Sequence, residues 1–292
     1  MSLYISSRPA GRGWFSPPPP LQVPVLLRFQ DFTIQYRDYP PEFDLSHLMV
    51  DSYELTNTRK TDLDYPIIPG NHYSIYFKFN HALVSAGISG MTTSMRKLRL
   101  PPGTTLYAVR FQPGTMSCFT DTPAQKMLDR LVSIETVLPR SAELMQMICT
   151  SESFHERNLF IYQYLKKYIS AAYAGPPQRL KNSLDMVAKQ KGMCRISELA
   201  DISGCSERYL VNLFQKHVGC SPKLYCEIMQ MQYSLADILQ NQPKSLARVA
   251  VTYGYFDQPH MNRIYHKLLG RTANDMRFFC SDYSGEGAAS FF

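Results

Sequence analysis

No stretch of this sequence approaches the ~18 uninterrupted apolar residues of a membrane-spanning helix, so none is expected. The segment Met1 to Pro9 lacks the charged-then-apolar order of a secretory signal. Cysteine is sparse and irregular. Cys118, Cys149, Cys194, Cys205, Cys220, Cys226 and Cys280 show no Cys-x-x-Cys spacing, which argues against a zinc ribbon or a disulfide framework. Free thiols in a reducing cytoplasm are the expectation. The β-patterned part holds His47, His72, His81 and His155 with no His-x-His pair, so no metal centre is expected. A nucleophile elbow, a Walker loop, a dinucleotide fingerprint and a metalloprotease signature are all missing. Nothing therefore points to an enzyme or to a cofactor.

What is there is ordinary globular material, 45% hydrophobic and 19% charged, which excludes a wholly disordered chain. A length of 292 residues suggests two domains. The net charge of +7 is unevenly spread. Residues 181–280 carry 13 Lys and Arg against 8 Asp and Glu, while residues 281–292 carry only Asp282 and Glu286. A mildly basic C-terminal region suits a polyanion partner.

Residues 1–24, with Pro9, Gly11, Gly13 and the run Pro17 to Pro20, read as an extended arm. From about Phe29 to Phe119 the pattern is strand-like: Tyr73, Ile75, Phe77 and Phe79 alternate with Ser74, Tyr76 and Lys78. Pro-Gly pairs at 69–70, 102–103 and 113–114 punctuate it, predicting a small β-sandwich or open barrel. A helix is expected over Leu128–Leu138 and another from Ala142 to Ala174. The β-rich unit thus spans 25–174. Gly175-Pro176-Pro177 reads as a linker, 180–280 as an all-α domain and 281–292 as a loose tail. Tyr73, Tyr76, Phe77 and Phe79 either line a pocket for a small effector or simply fill a core.

The all-α region contains an internal repeat. At an offset of 51, Leu210 matches Met261, Leu213 matches Ile264, Phe214 matches Tyr265, Lys216 matches Lys267 and Gly219 matches Gly270. The offset is 50 at Ala200/Ala250 and Gly204/Gly254, so the second copy has a turn one residue longer. Each copy predicts helix, glycine turn, helix, with Ser206 and Asp257 as N-caps and Pro259 in a first turn. The outward faces show Arg208, Asn212 and Gln215, then Gln258, His260, Asn262 and Arg263. Such side chains can fork onto base edges in a major groove.

On Leu199-Ala200, Gly204, Ser206, Arg208-Tyr209-Leu210, Phe214, Lys216, Gly219, Ser221-Pro222 and Tyr225, this region resembles AraC/XylS-family bacterial transcription regulators. The second copy adds Val249-Ala250, Gly254-Tyr255, Asp257-Gln258, His260, Arg263, Lys267, Gly270, Thr272 and Arg277. The resemblance implies an α+β protein: an N-terminal β-sandwich, cupin-like sensor domain with flanking helices, then two helix-turn-helix motifs joined by a central helix near Leu224–Leu239. Both recognition helices would enter successive major-groove segments about 34 Å apart on promoter DNA. By position, Arg208, Val211 and Asn212 would face bases, with Gln215 and Lys216 nearer phosphates. In the second motif Gln258, Pro259, His260, Asn262 and Arg263 would face bases, with Lys267 and Arg271 toward the backbone. The resemblance further implies a cytoplasmic activator that meets RNA polymerase. It suggests a homodimer through the helix at Tyr162–Ile169, which could equally pack on its own sandwich. Several positions depart from the pattern: Asn212 stands where many relatives have Arg, Pro259 replaces a small polar residue, Ala273 the usual proline, and Gln230 or Met231 the usual arginine. Pro259 and Ala273 favour an alternative, a regulator-derived interaction protein with impaired DNA binding that acts through a protein partner.

Overall fold

The structure is a computed structural model and describes residues 32–39, 43–169, 175–240 and 245–282. The expected arm over 1–24 lies outside these residues, as do positions 283–292 of the expected tail. Ser281 and Asp282 belong instead to the last helix.

The strands are β1 (Phe32–Asp38), β2 (Met49–Asn57), β3 (Leu63–Ile67), β4 (Tyr73–Asn80), β5 (Ala82–Ser89), β6 (Arg96–Leu100), β7 (Thr105–Phe111) and β8 (Leu131–Ser133). Six of them form a sheet in the order β1-β2-β7-β4-β5-β8, and β3 pairs with β6 in a second, two-stranded sheet. Every pairing is antiparallel. Along β4 the side chains alternate: Tyr73, Ile75, Phe77 and Phe79 are buried and Ser74, Tyr76 and Lys78 half-buried. The period of two puts Tyr76 on the opposite face from the other three aromatics. It packs with Tyr53, Leu55, Tyr65 and Leu106 between the two sheets. The four aromatics therefore do not share one interior, which corrects the sequence expectation.

The larger core lies on the other face of the six-stranded sheet, under α1 (Ser141–Thr150) and α2 (Phe154–Tyr168). The single helix expected from 142 is broken, because Ser151 is extended and Ser153 caps a new helix by accepting from Glu156 N–H at 3.2 Å. Helix α2 is pinned to the sheet by polar contacts. Asn158 Oδ1 accepts from Ser52 Oγ at 2.5 Å, Tyr39 OH at 3.0 Å and Tyr107 OH at 3.1 Å. Arg157 Nη1 meets Glu54 at 2.9 Å, both side chains nearly buried. Ile161, Tyr164, Leu165 and Ile169 are buried in this core, so the Tyr162–Ile169 stripe packs on its own sheet.

No helix forms over 128–138. Ala124–Met127 and Ile134–Thr136 are short 3-10 turns, and Leu131–Ser133 is the edge strand β8. The spacing of Leu128, Leu131 and Val132 mimics a helix face, but pairing with β5 wins. Gly87 lets β8 approach, since a Cβ there would lie 2.7 Å from the Val132 carbonyl oxygen.

The helical half consists of α3 (Gln178–Lys189), α4 (Ile196–Ile202), α5 (Glu207–His217), α6 (Pro222–Gln240), α7 (Leu246–Thr252), α8 (Gln258–Leu269) and α9 (Ala273–Asp282). One apolar cluster joins them and also takes in Ile68 and Met91 from the β-rich half. Hydrogen bonds cross the same seam. Tyr73 OH donates to the carbonyls of Val218 at 2.5 Å and His217 at 3.2 Å. Gln232 Nε2 donates to Pro69 O at 2.8 Å, and Met95 N–H to Leu268 O at 2.8 Å. The start of β4 and loops of the β-rich half thus hold the C-terminal ends of α5 and α8 and the middle of α6.

Candidate nucleic-acid interface

The two helical hairpins are built alike. Helix α4 ends at Ser203 and α7 at Tyr253, and the next residues, Gly204 and Gly254, take φ of +60° and +72°. That left-handed conformation favours glycine. After the turns, Ser206 Oγ accepts from Tyr209 N–H at 3.2 Å, and Asp257 Oδ1 from His260 N–H at 2.6 Å. Both predicted caps are therefore in place. Pro259 occupies the first turn of α8, where a missing N–H costs no helical bond.

The inward faces also match. Leu210, Leu213 and Phe214 are buried on α5, and Met261, Tyr265, Leu268 and Leu269 on α8. Helix α8 is fixed to the central helix α6 by Ser234 Oγ, which lies 2.8 Å from Tyr265 OH and 3.2 Å from Tyr255 OH. Gln230 donates to the Tyr253 carbonyl at 2.6 Å, satisfying the end of α7. The residue at a typical arginine position thus has a structural task here.

The expected contact residues fall into two groups. On α5, Arg208, Asn212 and Lys216 are exposed and Val211 and Gln215 half-buried. On α8, Pro259 and Arg263 are exposed and Gln258 and His260 half-buried. Arg208, Asn212, Gln258 and Arg263 make no hydrogen bond or ion pair with any of the described residues. The second group is already engaged. Asn262 Oδ1 accepts from Ala273 N–H at 3.2 Å and so caps α9. Lys267 Nζ lies 2.6 Å from Glu227 Oε2. Arg271, the last expected backbone contact, is half-buried at the start of the α8–α9 connection.

His260 is oriented by its neighbours. Its Nδ1 accepts from Phe256 N–H at 3.2 Å, and its ring meets Tyr255 edge-on at 5.9 Å. An accepting Nδ1 leaves Nε2 carrying the proton in the neutral ring, a donor. His260, Arg263 and Lys267 form one wall of an open cleft of about 1090 Å³. Arg195, from the α3–α4 connection, and Lys223, from the start of α6, stand on its other sides with Glu227. Four permanent cations against one carboxylate make this the place for a polyanion. Arg195 and Lys223 were not expected from the sequence. They lie on elements far from α8 in the chain, and only their charge could have suggested them.

Two thiols also face this cleft. Cys194 Sγ donates to Met186 O at 3.8 Å, and its pairing with Cys226 holds the Cys194 thiol below its ordinary value and drives that of Cys226 up. Among the described residues no group of three or more His, Cys, Asp or Glu is placed to hold a metal ion. None of the described helices is long and apolar enough to cross a membrane.

Comparison with known proteins divides the chain in the same way. Residues 199–277 match a helix-turn-helix domain family, and residues 37–133 match a domain family of unknown function. The HTH-type transcriptional regulator GbdR of Pseudomonas aeruginosa is 30% identical over 82 residues, 28% of this chain and 22% of that protein. The chain therefore spans about a fifth of the length of that curated relative. Among solved structures, ToxT from Vibrio cholerae aligns over 85% of this chain and 98% of its own, with a TM-score of 0.42 and 9% identity. A ToxT structure with a bound unsaturated fatty acid aligns over 85% and 95%, with a TM-score of 0.39 and 12% identity.

Proposed function

We propose, from a helical half that is an AraC/XylS-type helix-turn-helix domain, that this protein is a sequence-specific transcription regulator binding double-stranded promoter DNA. The observation that supports this best is the pair of capped helices, α5 and α8, with Arg208, Asn212, Gln258 and Arg263 unengaged on their outer surfaces. Arg forks onto guanine, and Asn or Gln onto adenine. In this reading Arg208, Val211, Asn212, Gln258, Pro259, His260 and Arg263 face base edges. Gln215, Lys216 and Arg271 lie toward phosphates. Asn262 and Lys267 contribute once their present partners, the Ala273 N–H and Glu227, release them. The protein acts in the cytoplasm as an activator in contact with RNA polymerase. A small-effector site and a homodimer contact in the β-rich half belong to this reading, the first not built jointly by Tyr73, Tyr76, Phe77 and Phe79 and the second not by the Tyr162–Ile169 stripe.

The test is binding of the full-length protein to duplexes from upstream of its own gene. Salt-sensitive, sequence-selective binding is expected, and its absence would remove the proposal. Arg263→Ala should cost about 1–3 kcal/mol and relax the choice of base at one position. An equal loss on all sequences would make Arg263 a phosphate contact.

The engaged Asn262 and Lys267 favour a second reading, a regulator-derived protein that acts through a protein partner. Binding to DNA that ignores both sequence and Arg263 would support it.

A further inference from the structure

The second turn is one residue longer than the first, and the backbone shows which residue is extra. Cys205 N–H donates to Ala200 O at 3.1 Å, and Tyr255 N–H donates to Ala250 O at 2.9 Å. Cys205 and Tyr255 are therefore equivalent, as are the caps Ser206 and Asp257. Phe256, between Tyr255 and Asp257, has no counterpart.

A large apolar residue just before an N-cap usually packs against the fourth helical residue and fixes the entry of the chain. Phe256 does not. The fourth residue, Met261, is fully buried, whereas Phe256 is 87% exposed, more than any other large apolar side chain among the described residues. In the first copy the residue before the cap, Cys205, packs against the helical core. The inserted ring is thus outside the fold, and only its backbone is used, through the N–H bond to His260 Nδ1. It stands at the entrance of α8, ahead of exposed Pro259 and half-buried His260, and the His260 that its N–H meets lines a cleft with Arg195, Lys223 and Arg263. Those cations suit the phosphates of a duplex, and the first turn of a helix seated in a major groove is the part that reaches base edges. The thymine C5-methyl is the apolar group that a major groove offers.

Resting on the DNA-binding reading above, we infer that Phe256 is a specificity-determining residue that packs on a thymine methyl group at the site read by the first turn of α8. Hydrogen-bonding neighbours choose among donors and acceptors. Phe256 adds a preference that those groups cannot express, for thymine over a pyrimidine with the same donors and acceptors but no methyl.

The experiment replaces thymine by deoxyuridine, which lacks only the methyl. Sites are first selected from a random duplex pool with the full-length protein, and each thymine is then exchanged in turn. At one position the wild type should lose about fourfold in affinity, the worth of one buried methyl. Phe256→Ala should lose as much on the thymine duplex and be indifferent to the exchange, while Phe256→Leu should keep part of the preference. Thermal unfolding should be unchanged in both variants, because the ring is outside the core. If the wild type selects a site but no exchange alters affinity by as much as about twofold, the inference fails and the DNA-binding reading stands. Equal discrimination by Phe256→Ala overturns it too. So does an affinity unchanged in Phe256→Ala beside weakened transcription, which would turn the ring toward a protein. If no site is selected, the DNA-binding reading itself has failed.

Discussion

Two lysines at matching places in the repeat differ in what holds them. Lys216 is exposed near the end of α5 and has no ion-pair partner among the described residues. Lys267, its counterpart on α8, lies 2.6 Å from Glu227, whose side chain is only 15% exposed. A lysine that neutralises a phosphate releases a counterion and steepens the fall of affinity with salt, by about 0.9 in the logarithmic slope per contact. Lys216→Ala should therefore flatten the slope by roughly that amount. Lys267→Ala should flatten it less, because Glu227 competes with DNA for the ammonium group. Glu227→Gln removes the competitor and should strengthen binding at low salt. Titrations at several salt concentrations check all three. Equal slopes for the two lysine variants would show that the Glu227 pair does not restrain Lys267. This restraint was not legible in the sequence, where the two lysines look interchangeable. Glu227 sits on the central helix, 40 positions from Lys267.

At the scale of the element, the recognition helices depend on their first turns. Asp257 holds His260 N–H at 2.6 Å and Ser206 holds Tyr209 N–H at 3.2 Å. Removing either cap should cost about 1 kcal/mol. Asp257→Ala should cost more than Ser206→Ala, since the carboxylate also faces the positive end of the helix dipole. Asp257→Asn, which keeps the acceptor and loses the charge, should fall between Asp257→Ala and the wild type. Chemical denaturation measures the order, and equal costs for Asp257→Asn and Asp257→Ala would assign the whole effect to charge. These caps, the turn glycines and the central helix were readable because their causes are local: a side chain reaching its own helix three residues on, or a φ only glycine tolerates freely. The alternation along β4 was readable for the same reason. The stretch 128–138 was not, because its fate is settled by β5, more than 40 positions away, which captures Leu131–Ser133 as a sheet edge. Nor was the break between α1 and α2, where Ser153 caps a helix inside a segment that is apolar at helical spacing on both sides. The candidate contact residues lie on α5 and α8, except Arg271, which follows α8 in the connection to α9. What the pattern could not show was that Asn262 is spent on α9 and that Arg195 and Lys223 join the same cleft.

Across the whole molecule, the β-rich half reaches α5, the first candidate reading helix, through a seam that holds an ionisable group. Tyr73 OH donates to the carbonyls of His217 and Val218, at the C-terminal end of α5. The His217 ring is half-buried there, and burial, helped by the adjacent Lys216 charge, holds its pKa below the usual 6.5. An unfolded chain, with an ordinary imidazole, therefore takes up its proton first as the pH falls. Stability contributed by neutral His217 is full above 6.5 and is lost from there down to the lower folded value. Unfolding free energy should consequently be lower at about pH 5.5 than at about pH 7.5, with the loss falling below 6.5, and His217→Gln should remove that part of the drop. Glu54 and Asp185, raised by burial, act in the opposite sense, with the folded state taking up protons first. Their contribution is common to both proteins and cancels in the comparison. Tyr73→Phe deletes the seam's hydroxyl and should cost about 1 kcal/mol at neutral pH. If that hydroxyl is what keeps the end of α5 closed over the imidazole, Tyr73→Phe also lets water reach His217 and flattens the acid slope. Denaturation of the single and double variants at the two pH values decides the matter. Additive effects of Tyr73→Phe and His217→Gln on the slope would mean that the two halves meet at His217 without coupling there.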